Sequence, residues 1–298
     1  MSRLWRLDSE RIVDSTGRNN VNIQPVSGAL GALVSDIDLS DNLGDNTREA
    51  LYQAFLEHHV LLFRDQSLSP EQLRCAAGLF GEPDLYPFIE GMPETPEVIE
   101  IIKNPTDERN FGGSWHSDTA YMPKPAKGTM LYAVEVPETG GDTLFASTAA
   151  AYDTLSEAMQ EMLAAMTGVN NSDNGYGGSR AKAMAKLDDM KGAYNVEAES
   201  YESEHPVVRT HPESNKKALY LSRSHTAHFK DMTPEESMPL INYLCDHIIR
   251  PEFTCRFSWQ PGSVAVWDNR ITQHYASNDY AGHRRHMRRV TLKGDTPV

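Results

Sequence analysis

Short apolar stretches closed off by turn residues dominate this chain, and that pattern limits what it can fold into. Thr129-Met130-Leu131-Tyr132-Ala133-Val134 and Thr143-Leu144-Phe145-Ala146 read as strands, separated by the tight turn Thr139-Gly140-Gly141-Asp142. Phe253, Cys255, Phe257 and Trp259 alternate onto one face, Gln260-Pro261-Gly262 turns the chain, and Ser263 to Trp267 returns it. Val60-Leu61-Leu62-Phe63 is a continuous apolar run of the kind buried on both faces. His205 to Thr210 and Lys217 to Leu221 read as a hairpin, and Val21 to Leu39 and Val98 to Ile102 add further strands. With about ten strands and three or four helices in no regular alternation, the expected fold is mainly β with flanking helices (α+β), a double-sheet jelly roll rather than a βαβ sheet. No repeat or linker divides the chain, so residues 1–298 are read as one domain.

The helices announce themselves by their starts. Ser69-Pro70-Glu71-Gln72 and Thr233-Pro234-Glu235-Glu236 are capping boxes with Pro at the first helical position. The first should carry Leu73, Ala76, Ala77 and Phe80 and stop at Gly81; the second should carry Leu240, Tyr243, Leu244 and Ile248, with Pro239 kinking it. A helix opens at Asn46-Thr47 with Leu51, Ala54, Phe55 and His58 at helical spacing, and Ser156 caps another with Met159, Met162 and Leu163. Residues 168–204 differ. Asn170 to Gly178 reads as a loop, followed by a short basic helix with Ala181, Ala185 and Lys186. A loop this long is either a functional lid, the favoured reading, or an insertion without a role.

Charge and cysteine usage remove several function classes. The formal net charge of −14 argues against nucleic acid and against an anionic membrane surface as partners. The three cysteines, Cys75, Cys245 and Cys255, form no C-x-x-C pair, which suits a reducing, cytoplasmic setting. No signal-peptide pattern follows Met1, and no apolar window reaches the length of a membrane span.

The chemistry concentrates in Phe111-Gly112-Gly113-Ser114-Trp115-His116-Ser117-Asp118. On a strand, His116 and Asp118 point to the same side and can offer a nitrogen and an oxygen to one ion. Iron(II) accepts that mixture, and a triad of two His and one carboxylate leaves positions open. The bland reading is a strand His facing an Asp on a wet surface. Among eleven His, His274 is the best third ligand, because the apolar strand Val264 to Trp267 delivers it just past its end. His58, His59, His247, His283 and His286 read as solvated, His205 and His211 flank prolines, and His225 and His228 sit in a loop. In His283 to Leu292, period two puts Arg285, Met287, Arg289 and Thr291 on one face. An inward Arg needs an anion. That anion is either a carboxylate co-substrate, which the guanidinium fork matches, or a core acid such as Asp142 or Asp268.

Trp115-His116-Ser117-Asp118, Gly140-Gly141-Asp142-Thr143, Trp267-Asp268-Asn269-Arg270 with Gln273-His274-Tyr275, and Arg285-His286-Met287-Arg288-Arg289 occur in the order found in one family. From about Ile23 to its end the chain resembles the TauD/TfdA family of iron(II)- and 2-oxoglutarate-dependent dioxygenases. The resemblance implies a double-stranded β-helix, cupin-like, with Fe(2+) on His116, Asp118 and His274, which are also the catalytic set. It implies that Arg285, assisted by Thr143, grips the far carboxylate of 2-oxoglutarate, and that Arg289 contacts the co-substrate or an anionic substrate. It implies oxidation by O2, most simply hydroxylation of an unactivated C–H bond, with release of succinate and CO2, and a homo-oligomer, dimer or tetramer.

The substrate is expected to be a small molecule. Arg289 favours an anion, a sulfonate, sulfate ester or carboxylate, over a neutral secondary metabolite. Tyr86, Phe88 and Ser114, with Arg289, are candidate substrate contacts, and Tyr176 and Tyr194 are candidates from the lid. Asp84 to Phe88 holds no His where taurine dioxygenase has one, which argues against taurine itself, and the glycines before His116 leave room for a bulkier molecule. A metal-binding jelly roll that is not an oxygenase is the alternative from another class; it accounts for the metal residues but not for Arg285 and Thr143.

Overall fold

The computed structural model describes residues 10–12, 21–174 and 200–298. Their largest sheet has nine strands. In spatial order they are β1 (Glu10–Ile12), β2 (Val21–Pro25), β3 (Ala32–Ser35), β4 (Val60–Phe63), β15 (Val264–Asp268), β7 (Gly128–Glu135), β17 (Arg285–Leu292) and β5 (Pro83–Asp84), with β6 (Val98–Lys103) also on β17. Facing it is a three-stranded antiparallel sheet, β14 (Thr254–Phe257), β8 (Thr143–Ser147) and β16 (Thr272–Ala276). These two sheets form the expected jelly roll.

The alternation of side chains along the strands sorts the core into an inside and an outside. Leu131, Ala133, Ala265, Trp267 and Met287 point between the sheets, where Phe145, Cys255, Phe257 and Trp259 meet them. Met130, Tyr132, Val264, Val266, Val290 and Leu292 point the other way, into a second apolar layer with Leu51, Phe55, Leu73 and Phe80. That layer belongs to α1 (Asp45–His58) and α2 (Pro70–Ala77), which cover the outer face. β4 is buried on both sides for this reason, and its neighbours confirm it: it runs parallel to β3 and antiparallel to β15. β3, α1 and β4 make a single βαβ unit within an otherwise antiparallel sheet, with β2 and β1 continuing beyond β3.

Both capping boxes form. α2 ends at Ala77 rather than running to Gly81, because Leu79 and Phe80 bond back to Ala76 and Ala77 as a turn while Phe80 stays fully buried. Against the smaller sheet's flank pack α3 (Thr148–Asp153), α4 (Glu157–Ala164) and α5 (Pro234–Ile248) with the hairpin β11 (Val208–Thr210) and β12 (Lys217–Leu219). α5 continues through Pro239. Its buried face is Ile241, Leu244, Cys245 and Ile248, while Tyr243 is exposed, so the helix is rotated from the expected register. Met162 of α4 likewise faces solvent.

The stretch read as a loop from Asn170 begins as a strand. β9 (Thr167–Asn171) pairs antiparallel with β10 (Glu202–Pro206) and with β13 (Thr226–Phe229). Residues 175–199, which hold Tyr176, Tyr194 and the short basic helix of the expected lid, lie outside the described residues.

Candidate functional site

The site is built where the smaller sheet reaches the segment before Asp118. Gly112 has φ of 81°, a left-handed turn that glycine adopts freely, and the chain bends again at Ser114 before reaching His116. His116 and His274 form an isolated antiparallel bridge: His116 N–H donates to the His274 carbonyl at 3.1 Å and His274 N–H returns the bond at 2.9 Å. Directly opposed residues send their side chains to the same side, so the ring centroids lie 4.3 Å apart. Asp118, two residues on, brings Oδ1 within 3.6 Å of His116 Nε2 and 3.8 Å of His274 Nε2.

Ligand atoms of these three buried residues all lie within 4.8 Å of one another, which suits a single ion. His116 Nδ1 is 2.6 Å from the Ser114 carbonyl. A carbonyl can only accept, so Nδ1 donates to it and Nε2 is the ring nitrogen turned toward the shared point. His274 packs against Trp267 and Phe145, and burial pushes its pKa down to about 3, leaving a neutral imidazole. Burial alone would raise the Asp118 carboxyl, but the Arg289 guanidinium, 2.9 Å from Oδ1, outweighs it and holds the group well below the usual carboxylate range. The wet-surface reading of the His-x-Asp pair is thereby excluded.

The two inward arginines have different surroundings. Arg289 Nη2 lies 2.9 Å from Asp118 Oδ1, and its guanidinium sits over Tyr86 and Phe111. Among the described residues no carboxylate is in ion-pair contact with Arg285. Its Nε and Nη2 are buried without a hydrogen-bond partner, and its guanidinium lies 5.8 Å from the Trp259 ring. Both core acids weighed as its partner are otherwise engaged: Asp142 with Arg256 and Ser258, Asp268 with Arg270 and His211. Trp259 Nε1 donates to Thr143 Oγ1 at 2.9 Å, leaving the Thr143 hydroxyl proton for another acceptor. Gly141, at φ of 69°, closes this corner; a Cβ there would come within 3.4 Å of Arg285 Cδ and Nε.

A cavity of about 630 Å³ opens beside the trio. Tyr86, Ser114, His116 and Asp118 line it, joined by Arg109, Phe111, Tyr121, Arg223, His225 and Tyr275. Phe88 is not among the lining residues; it stands behind Tyr86 and Tyr121, edge-on to both. Sequence reasoning missed Arg109 and Arg223 and set His225 aside as a loop residue; all three sit in irregular segments with no periodic signal. It also treated His59 and His247 as solvated, whereas both are buried, His247 against the Ala151 carbonyl and Thr154.

Behind Asp118 the Thr129 hydroxyl donates to Oδ2 at 2.7 Å and Asn269 Nδ2 does so at 3.2 Å. No described helix is long and apolar enough to cross a membrane.

Comparison with known proteins agrees with this geometry. The model of the family described as taurine catabolism dioxygenase TauD, TfdA family, matches residues 22–291. An alkylsulfatase from Acinetobacter baylyi is 36% identical over 280 residues, covering 92% of this chain and 86% of the relative. An alpha-ketoglutarate-dependent sulfate ester dioxygenase from Pseudomonas putida is 35% identical, covering 93% and 91%. The crystal structure of a taurine dioxygenase from Burkholderia xenovorans superposes with a TM-score of 0.77 at 32% identity, over 93% of this chain and 92% of that one. With its jelly roll, its buried His-Asp-His trio and a family match across nearly its whole length, the chain belongs to the TauD/TfdA family and is an alpha-ketoglutarate-dependent dioxygenase.

Proposed function

We propose that the enzyme holds iron(II) on His116, Asp118 and His274 and hydroxylates alkyl sulfate esters at the carbon that carries the ester oxygen. The donor set supports the metal: two imidazoles and one carboxylate are the ligands of non-haem iron(II) oxygenases. Iron supplies the activation of dioxygen, coupled to oxidative decarboxylation of 2-oxoglutarate to succinate and CO2.

The chain's own groups place the reactants. Arg285 offers two buried N–H groups as a fork to the far carboxylate of 2-oxoglutarate, and the Thr143 hydroxyl donates to the same group. Arg289, lying over two rings of the cavity wall, anchors the sulfate end of the substrate. Tyr86 and Ser114 contact the rest of that molecule, and Phe88 supports Tyr86. Hydroxylation beside the ester oxygen gives a geminal hydroxy sulfate, which collapses to an aldehyde and hydrogen sulfate. Overall, an alkyl sulfate, 2-oxoglutarate and O2 become an aldehyde, hydrogen sulfate, succinate and CO2. The described cysteines are free thiols, consistent with work in the cytoplasm.

One observation carries the substrate class. The described cavity wall includes Arg109 and Arg223, and Asp118 is its only carboxylate, in a chain whose net charge is −14. An anionic head group is favoured there. The names of the two relatives at 35–36% identity narrow that anion to a sulfate ester. The test is turnover of hexyl sulfate with iron(II) and 2-oxoglutarate in air, read as sulfate, succinate and aldehyde. Equal yields of the three are expected. Succinate formation that hexyl sulfate does not stimulate, while another anion does, overturns the sulfate ester assignment.

A further inference from the structure

Asp118 divides its two oxygens between different neighbours. Oδ1 faces His116 Nε2, His274 Nε2 and Arg289 Nη2. Oδ2 accepts from the Thr129 hydroxyl at 2.7 Å and from Asn269 Nδ2 at 3.2 Å. The Asn269 amide also donates to Thr129 Oγ1 at 3.1 Å, which directs the Thr129 proton onto Asp118. All three residues are buried.

The orientation of Asn269 follows from chemistry. Its Oδ1 accepts from Trp267 Nε1 at 3.0 Å and from the Asp118 backbone N–H at 3.3 Å. Both partners are donors, so the amide nitrogen must point to Oδ2. The turn that carries Asn269 is clamped on either side. Asp268 accepts from Arg270 Nε and Nη2 at 2.8 and 2.7 Å and from His211 Nε2 at 3.0 Å. His211 Nδ1 accepts from two backbone N–H groups, those of Glu213 and Ser214, so Nε2 carries its proton. Arg270 Nη1 reaches on to Glu213. Asn269 therefore cannot follow the Asp118 carboxylate if it rotates.

We propose that Thr129 and Asn269 are positioning residues that keep Asp118 a one-oxygen ligand. The inference rests on the metal site proposed above. A carboxylate can bind an ion through one or both oxygens. A second bond from Asp118 would take a coordination position that 2-oxoglutarate and dioxygen need. With Oδ2 occupied by two fixed donors, only Oδ1 is offered. Partners behind a metal ligand commonly govern affinity or activity by about 10–100-fold.

The test compares the parent protein with Thr129→Val, Asn269→Leu and the double variant. Each is loaded anaerobically with iron(II) and titrated with 2-oxoglutarate, following the visible charge-transfer band of the chelated keto acid. Iron(II) affinity is measured separately against a competing chelator, and Tm is recorded. In the double variant the expected result is 2-oxoglutarate binding weakened by about tenfold or more with iron(II) held at least as tightly. Thr129→Val should shift in the same direction by less, and Thr129→Ser, which keeps the hydroxyl, should restore parent behaviour. Thr129→Val replaces one β-branched residue by another of like shape, so it tests the idea even if Asn269→Leu fails to fold. Unchanged 2-oxoglutarate affinity in folded Thr129→Val, or iron(II) affinity that falls in step with Tm, overturns the proposal. A parent protein that binds iron(II) without the band overturns the co-substrate reading itself, and this inference with it.

Discussion

Arg289 and Asp118 are in contact, guanidinium Nη2 to carboxylate Oδ1 at 2.9 Å, and both are almost fully buried. The arginine thus touches the oxygen that faces both histidines while its flat side covers Tyr86 and Phe111. It links the proposed metal to the proposed anion site. Arg289→Gln should raise KM for hexyl sulfate about 10–100-fold, the loss expected for one charged hydrogen-bonding partner. KM for 2-oxoglutarate should change far less. Steady-state kinetics with each reactant varied in turn checks this; an effect on 2-oxoglutarate alone would reassign Arg289 to the co-substrate.

Arg285 presents the converse case, a buried cation that no described carboxylate contacts. Its burial lowers its pKa, and a carboxylate brought to it would supply the missing partner. Arg285→Gln should weaken 2-oxoglutarate binding by about 10–100-fold and leave iron(II) affinity close to the parent's. Anaerobic titration of both ligands measures the two constants independently, and equal loss of both would place the role of Arg285 in folding.

The pH dependence of stability follows from buried histidines that do not line the cavity. Burial, reinforced by the Lys216 ammonium, pushes His59 down to about 3, and burial lowers His205 as well. An unfolded chain takes up protons on these rings near pH 6.5, about the ordinary imidazole value, whereas the folded protein does not. Their contribution is therefore complete above about pH 6.5 and is lost as the pH falls toward the depressed folded value. Asp268, held below the usual carboxylate range against its own burial by Arg270 and His211, contributes in the same direction, but its share is lost only below about pH 4. Tm should be flat above neutrality and fall steadily from about pH 6.5 to 4. His59→Gln, which cannot titrate but can still accept from Lys216, should flatten that fall; thermal melts across the range with identical slopes would contradict this account.

The inward arginines were legible because strand periodicity is strict. Along β17, Arg285, Met287 and Arg289 are buried, while His286, Arg288 and the preceding Arg284 are less so, as period two requires. The outward set meets Glu100 and Glu135. Helix registers were less secure: in α5 the choice between Tyr243 and Ile241 as the inward residue depends on what packs against the helix, which local spacing does not encode. The histidines show the same limit. His59, His211, His225 and His247 are as hidden as His274, and nothing local distinguishes a ring that serves the core from one set beside His116 and Asp118.

Residue order alone therefore determined the jelly roll, the capped helices, the His-x-Asp pair and the sidedness of Arg285 and Arg289, since each follows from a short-range repeat or cap. Tertiary structure decided the rest. The His116–His274 bridge joins residues 158 positions apart. The Asp268–Arg270–His211 clamp and the Asn269–Thr129 grip on Asp118 also join segments distant in the chain. Such contacts are set by which sheets face each other and how deeply they bury their charges, and those are properties of the packed whole.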